Sequence, residues 1–296
     1  MIVLAVNKKR AQKNRLLFCF LVIPTILMAV FMLLPLAKLI GLSFTDWNGL
    51  SDTKNFVGLS NYKTVFFNSP EVWSALKNNG VYFIFHLLFI PVELFIAFLL
   101  DNKVRGCKTF KTIVFLPYII NGVAVACMFS FLYSSENGVL NSFLQLLNMN
   151  PVSWLSDPNI VNKSLAVVSI WKFAGIHIIL FLAAFQSLPT DMLEASHIDG
   201  ASTFKQFYHI VLPNIRGVVE IILFLNVRGA LMVFDIPYVM TSGGPGNASS
   251  TFTIETIRTA FQYSNFGKAS AMAVVLMMII IVISLVQKGL LKSKEA

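Results

Sequence analysis

The 296-residue chain is 56% hydrophobic and 12% charged, far from the balance of a soluble domain, and its formal net charge is +9. Several runs reach the roughly 20 apolar residues that cross a ~30 Å hydrocarbon core, so the chain reads as an all-α, polytopic membrane protein. Its basic residues cluster at the ends of apolar runs, where they orient spans in membrane lipid, and no nucleic-acid partner is expected.

The chain opens on Lys8, Lys9, Arg10, Lys13 and Arg15 before an apolar run over 16–42. That run is too long for a signal peptide and has no small-residue cleavage site, so it reads as a first spanning helix, broken or tilted by Pro24 and Pro35. Residues 45–79 are polar and mixed, with Trp47, Tyr62 and Trp73 suited to an interface. The second span covers 81–100, a basic loop follows at 101–111, and the third span, 112–133, contains Pro117. A polar stretch over 134–163 holds one short amphipathic helix around 139–147, and the fourth span is 164–187.

Pro189 to Pro213 is the longest polar interruption of the second half and reads as two short helices around a turn. Asp191 with Glu194, and Thr203 with Gln206, match capping boxes. Between them Asp199-Gly200 is a turn signal, with Gly200 free to take the left-handed conformation. The fifth span is 218–239, a glycine-rich segment follows, and the sixth is 269–286. The expected organisation is one transmembrane domain, 1–296, with six helices.

Lys and Arg in alternate loops set the orientation. The N-terminus, the 101–111 loop, the 188–217 loop and the tail carry a dense share, and the intervening segments carry six residues spread over greater lengths. The positive-inside rule puts both termini and the 189–213 loop in the cytosol, which requires an even number of spans.

Charged groups inside apolar spans cost at least ~2.5 kcal/mol each on insertion scales, so each needs a reason. Lys38 and Glu220 sit near span ends and snorkel. His86 and Glu93 are seven apart in the second span, and a structural role, pairing between helices, is preferred for them. Arg228 and Asp235 show the same spacing in the fifth span, and two readings stand for them: interhelical pairing, or the wall of a polar cavity. Lys172 lies between Trp171 and Phe173, a cation among aromatic faces of the kind that packs on a pyranose.

No P-loop, HExxH, metal-spaced His/Cys cluster or nucleophile elbow occurs, so no catalytic residue, metal or cofactor is assigned to this chain. Cys19, Cys107 and Cys127 are scattered and odd in number, which argues against disulfides. Two functional readings of the in-span polar residues stand at this point. One is an ion-coupled secondary transporter with Glu93, His86 or Asp235 as a proton relay, and the other is an intramembrane enzyme.

Glu194-Ala195-Ser196, Asp199-Gly200-Ala201, then Ile210, Leu212 and Pro213 resemble the EAA loop of ABC importer permeases, with Ser196 in place of the usual third Ala. Further segments are similar to the carbohydrate-uptake, maltose-permease-like branch: Leu42 to Trp47, Phe56 to Leu59 with Asn61-Tyr62, Phe115-Leu116-Pro117, Gly138 to Asn141, Tyr238 to Thr241, Gly243-Gly244-Pro245, Phe266-Gly267, and Ala269 to Ala271. The resemblance implies the type I ABC importer permease fold in a prokaryotic plasma membrane. It implies as partners a second homologous permease subunit, two cytosolic ATPase subunits holding ATP and Mg, and an extracytoplasmic sugar-binding protein docked on 45–79, 134–163 and 241–268. It further implies that Leu193, Glu194, Ala195, Ser196, Asp199, Gly200, Ala201, Phe207, Ile210, Leu212 and Pro213 couple to the ATPase. The sugar path would then involve Lys172, Phe173, Ile176, Asn226, Gly229, Ala230 and Val233. Lys172 with nearby Arg228 suggests a substrate bearing an acidic group.

Overall fold

A computed structural model describes residues 16–101 and 107–292. Much of the basic residue set behind the orientation argument (Lys8, Lys9, Arg10, Lys13, Arg15, Lys103, Arg105 and Lys294) lies outside the described residues. Within them the chain is helical, with a single isolated bridge between Thr45 and Phe56. Five helices are long and apolar enough to cross a hydrocarbon core, and a sharply bent pair raises the number to as many as six.

Helix α1, Leu16–Leu42, leaves its apolar span entirely unburied. Its turn at Ala29–Leu33 widens to π geometry just ahead of Pro35. Proline has no N–H to give and its ring crowds the carbonyl four residues back, so the preceding turn opens. The same cause acts at Phe207–Val211, ahead of Pro213.

The described residues pack as two compact units. The smaller takes residues up to Asn68 together with Thr259–Val274. Here α2, Ser60–Phe67, is tied back to the end of α1. Asn61 Nδ2 donates to the carbonyls of Ser43 (2.9 Å) and Thr45 (2.7 Å), and the Tyr62 and Ser43 hydroxyls are 2.6 Å apart. Trp47 packs on Phe266 and accepts at its carbonyl from Gly267 N–H at 3.0 Å. Asn55 donates through its side chain and backbone to Asp46, holding that carboxyl below the usual carboxylate range. The motif residues 42–47, 61–62 and 266–267 therefore build one knot.

The larger unit, Ser69–Arg258 with the chain from Val275 onward, contains the remaining helices. They are α3 (Pro70–Asp101), α4 (Cys107–Ile119), α5 (Gly122–Leu132), α6 (Val139–Leu146), α7 (Val161–Gln186), α8 (Thr190–Ile198), α9 (Thr203–Gln206), α10 (Arg216–Leu231), α11 (Asp235–Thr241), and most of α12 (Phe252–Phe261) and α13 (Phe266–Lys292). The pair α3–α7 makes the most extensive helix packing. Around it lie two apolar clusters, one through Ala97, Ile178, Phe181, Phe185 and Ile222, the other through Tyr82, Val125, Leu165, Val168 and Ile236.

Two expected spans are not single helices. The 112–133 run divides into helices bent by 97°. Asn121 caps the second of them, its side chain accepting from Val123 N–H at 2.9 Å. In the fifth span α10 stops at Leu231 and α11 starts at Asp235, so Arg228 and Asp235 do not share one helical face.

Candidate functional site

Both helix breaks face the same place. A cavity of about 400 Å³ in the larger unit is lined from α7 by Ser169, Lys172, Phe173, Ile176 and His177. From the end of α10 and the break after it come Asn226, Arg228, Gly229, Ala230 and Val233, with Asp235 opening α11 and His86 and Tyr118 completing the wall. All seven residues expected along a substrate path therefore line one cavity. His86, whose spacing to Glu93 suggests a structural role, also lines the cavity, and Tyr118, Ser169 and His177 are additions that spacing within a single helix did not reveal.

The polar groups of the cavity divide into used and unused. His86 Nε2 is 2.9 Å from Ser169 Oγ, and His177 Nδ1 is 2.9 Å from Glu93 Oε2, two buried cross-links between α3 and α7. Lys172 Nζ donates to the Ile120 carbonyl, which the α4–α5 break frees from helical bonding. A cation suits that place, because the last carbonyls of α4 carry partial negative charge. Asp235 lies against the start of α5, where a β-carbon on Gly122 would come within 2.6 Å of its Oδ2. Partial positive charge at that N-terminus favours the carboxylate.

The second break is held from α3. Asn79 Nδ2 donates to the carbonyls of Ala230 (2.6 Å) and Leu231 (3.2 Å), and its Oδ1 accepts from Phe252 N–H at 2.9 Å. Thr251 Oγ1 donates to the Val233 carbonyl at 2.9 Å. Beyond the break, residues 241–258 form a closed polar network. Arg258 reaches Glu255 (2.8 Å), Asn247 (2.9 Å) and the Ser242 carbonyl (3.0 Å), while Ser250 Oγ donates to Glu255 at 2.6 Å.

The 189–213 segment forms two short helices around a turn, with different capping from that expected. Pro189 occupies the cap position of α8 without a side-chain bond, and Asp191 lies inside its first turn. Proline fixes φ and the helix starts directly after it, so the Asp191–Glu194 box does not form. In the second helix Ser202, not Thr203, is the cap, with Lys205 N–H donating to its hydroxyl. Gln206 crosses instead to α8, donating to Ser196 Oγ (2.8 Å) and the Leu193 carbonyl (3.2 Å). The hydroxyl that distinguishes Ser196 from Ala thus cross-links the pair. Gly200 takes φ +78° and Ala201 N–H closes back on the Ser196 carbonyl at 3.0 Å.

Leu193, Phe207 and Leu212 turn inward onto the α3–α7 core, where Phe207 meets Phe98 edge-on at 5.3 Å. Ile210 is half-buried, Ala201 likewise, and Glu194, Ala195, Asp199, Gly200 and Pro213 are exposed. The outward apolar surface comes from residues not singled out in the sequence: Ile198 (87% exposed), Phe204 (76%) and Tyr208 (58%).

Residues 2–294 match the family model described as "Binding-protein-dependent transport system inner membrane component". The chain belongs to that family. Among its relatives, the permease is 34% identical over 283 residues to the probable ABC transporter permease protein PH1215 of Pyrococcus horikoshii, covering 94% of this chain and 96% of that one. It is 31% identical over 287 residues to the probable ABC transporter permease protein YurN of Bacillus subtilis, with 95% and 98% covered. Over 239 residues it is 33% identical to the trehalose/maltose transport system permease protein MalF of Thermococcus litoralis, with 80% and 79% covered. A crystal structure of a bacterial ABC transporter that imports the acidic polysaccharide alginate superposes with a TM-score of 0.83 at 24% identity, over 97% of the permease and 99% of that chain. At that identity the likeness speaks for the fold, which is that of an ABC importer permease.

Proposed function

We propose that this chain is the permease subunit of an ATP-driven importer for a sugar or oligosaccharide, anchored in a prokaryotic plasma membrane with both termini in the cytosol. It forms half of the translocation path beside a second, similar permease. An external sugar-binding protein delivers substrate, two cytosolic ATPase subunits bind ATP and Mg, and this chain itself performs no covalent chemistry. The observation that carries the reading is the 189–213 hairpin, a polar segment with outward Ile198, Phe204 and Tyr208 on a helix pair cross-linked by Gln206. Apolar side chains held outward on a braced polar loop mark a surface for another protein.

Glu194 and Asp199 supply the charged rim of that surface, and Phe207 and Leu212 root it in the core beside α3 and α7. Closure of the ATPase dimer then moves the hairpin and the α3–α7 core as one body, switching the cavity from inward- to outward-facing. The names of the sugar-transport relatives support a saccharide, and so does the cavity, whose volume of about 400 Å³ falls among small-molecule sites. Phe173 in its wall offers an apolar face for a pyranose ring.

Affinity purification from native membranes is expected to bring down an ATPase and a second permease, and the reconstituted complex to take up oligosaccharide only with ATP. Gly200→Val forces a β-branched residue to φ +78°, at a cost of ~1–2 kcal/mol. The variant is expected to insert normally and hydrolyse ATP with little uptake. ATP-independent transport by the isolated chain would instead favour an ion-coupled carrier.

A further inference from the structure

This inference deepens the reading of the larger unit's cavity as a saccharide path. The cavity wall holds three charged side chains apart from its imidazoles: Lys172, Arg228 and Asp235. Two of them serve the α4–α5 break, Lys172 on the Ile120 carbonyl and Asp235 beside Gly122. Arg228 has no such use. It sits in the last turn of α10, exposed, and among the described residues no hydrogen bond or ion pair engages its guanidinium. Two residues earlier and also in the cavity wall, Asn226 is 3% exposed, and both its amide oxygen and its amide nitrogen are buried without a partner.

Buried polar atoms in native proteins are almost always bonded, and an ionised group within a membrane span is a functional feature by default. An uncompensated guanidinium calls for a planar oxyanion, which it binds through two parallel N–H donors. An amide with donor and acceptor both free fits a hydroxyl, which takes one bond and gives another. Phe173, half-buried and set edge-on to Tyr118 at 6.3 Å, adds an apolar wall. We propose that the permease carries uronate-containing saccharides, with Arg228 binding the sugar carboxylate and Asn226 a ring hydroxyl. A neutral sugar leaves Arg228 without its oxyanion partner, so the cavity selects by charge.

The test uses the complete transporter, with its partner subunits and external receptor, in proteoliposomes. ATP-driven uptake of digalacturonate is compared with uptake of its dimethyl ester, which keeps the ring and loses both charges. The expected result is an acid-to-ester uptake ratio well above one in the wild type. Arg228→Gln lowers that ratio roughly tenfold or more, the loss of a charge-assisted bond, and Arg228→Lys restores part of it. Because the same receptor is present throughout, its own preference cancels when the variant's ratio is divided by that of the wild type. The proposal is overturned if the wild type takes up acid and ester equally, or if Arg228→Gln lowers both alike, as pairing with a carboxylate of the neighbouring permease requires. In either case the saccharide-importer reading stands. Uptake of neither compound, with ATP-driven uptake of a neutral oligosaccharide retained, overturns the proposal alone; no saccharide uptake at all overturns both.

Discussion

Asn79 is the residue on which the cavity's second break most depends. One amide satisfies the Ala230 and Leu231 carbonyls, freed where α10 ends, and accepts from the Phe252 backbone at the start of α12. Burial makes the arrangement unforgiving, since each polar group left without a partner costs ~1–3 kcal/mol. Asn79→Leu, which keeps the branched skeleton and removes both polar atoms, is expected to destabilise the detergent-solubilised permease by roughly 2 kcal/mol or more, measured as a fall in the thermal unfolding midpoint. An unchanged midpoint would mean that the break is held by other contacts. Lys172 is of the same kind. From the sequence it is a candidate for contacting substrate, and in the structure its ammonium closes a helix end.

At the scale of elements, α4 and α7 pack backbone to backbone at Gly175. A β-carbon there would stand 2.3 Å from the Val114 carbonyl oxygen and 3.1 Å from Phe115 Cα. Small residues let membrane helices pack backbone to backbone, and a methyl group added here must push α4 away. Gly175→Ala is expected to cost ~1–3 kcal/mol and to alter uptake, because α4 ends at the cavity's Lys172–Ile120 bond. Wild-type stability and uptake would contradict this close approach.

The elements themselves were largely legible, because apolar runs of 20 or more residues have few ways to fold other than as helices in lipid. The interruptions were harder to read. Asn121-Gly122 after Pro117 carries a local turn signal, but it lies inside a continuous apolar run, and hydropathy alone joins α4 to α5. The fifth span's break has still less local warning, since its carbonyls are satisfied by Asn79, 151 and 152 residues away in sequence. The seven residues expected along a sugar path rest on resemblance to relatives, with Lys172 also marked by its place between Trp171 and Phe173. In the hairpin the sequence identified the turn at Gly200, but not which side chains face outward, because two four-to-nine-residue helices show too little periodicity to separate Phe204 from Phe207.

At the scale of the whole molecule, the permease joins a cavity and a hairpin through one stiff body. Phe207 packs on Phe98 of α3, Phe98 packs on Phe185 of α7, and α3 and α7 are pinned by the His86–Ser169 and Glu93–His177 bonds. On the proposed coupling, a push on the hairpin would reach the helices that carry Ser169, Lys172 and Phe173. Helix α1, with no buried side chain along its span, leaves an apolar surface for lipid or another permease. The central claim is that the 189–213 hairpin is seated on a nucleotide hydrolase. Its most direct test places a single cysteine at Glu194 or Ile198, with Cys19, Cys107 and Cys127 replaced, and crosslinks the assembled transporter in its membrane. The account predicts crosslinks from both positions to an ATPase subunit, with yields that change when ATP is added; crosslinks to lipid or to no nucleotide hydrolase at all would contradict it.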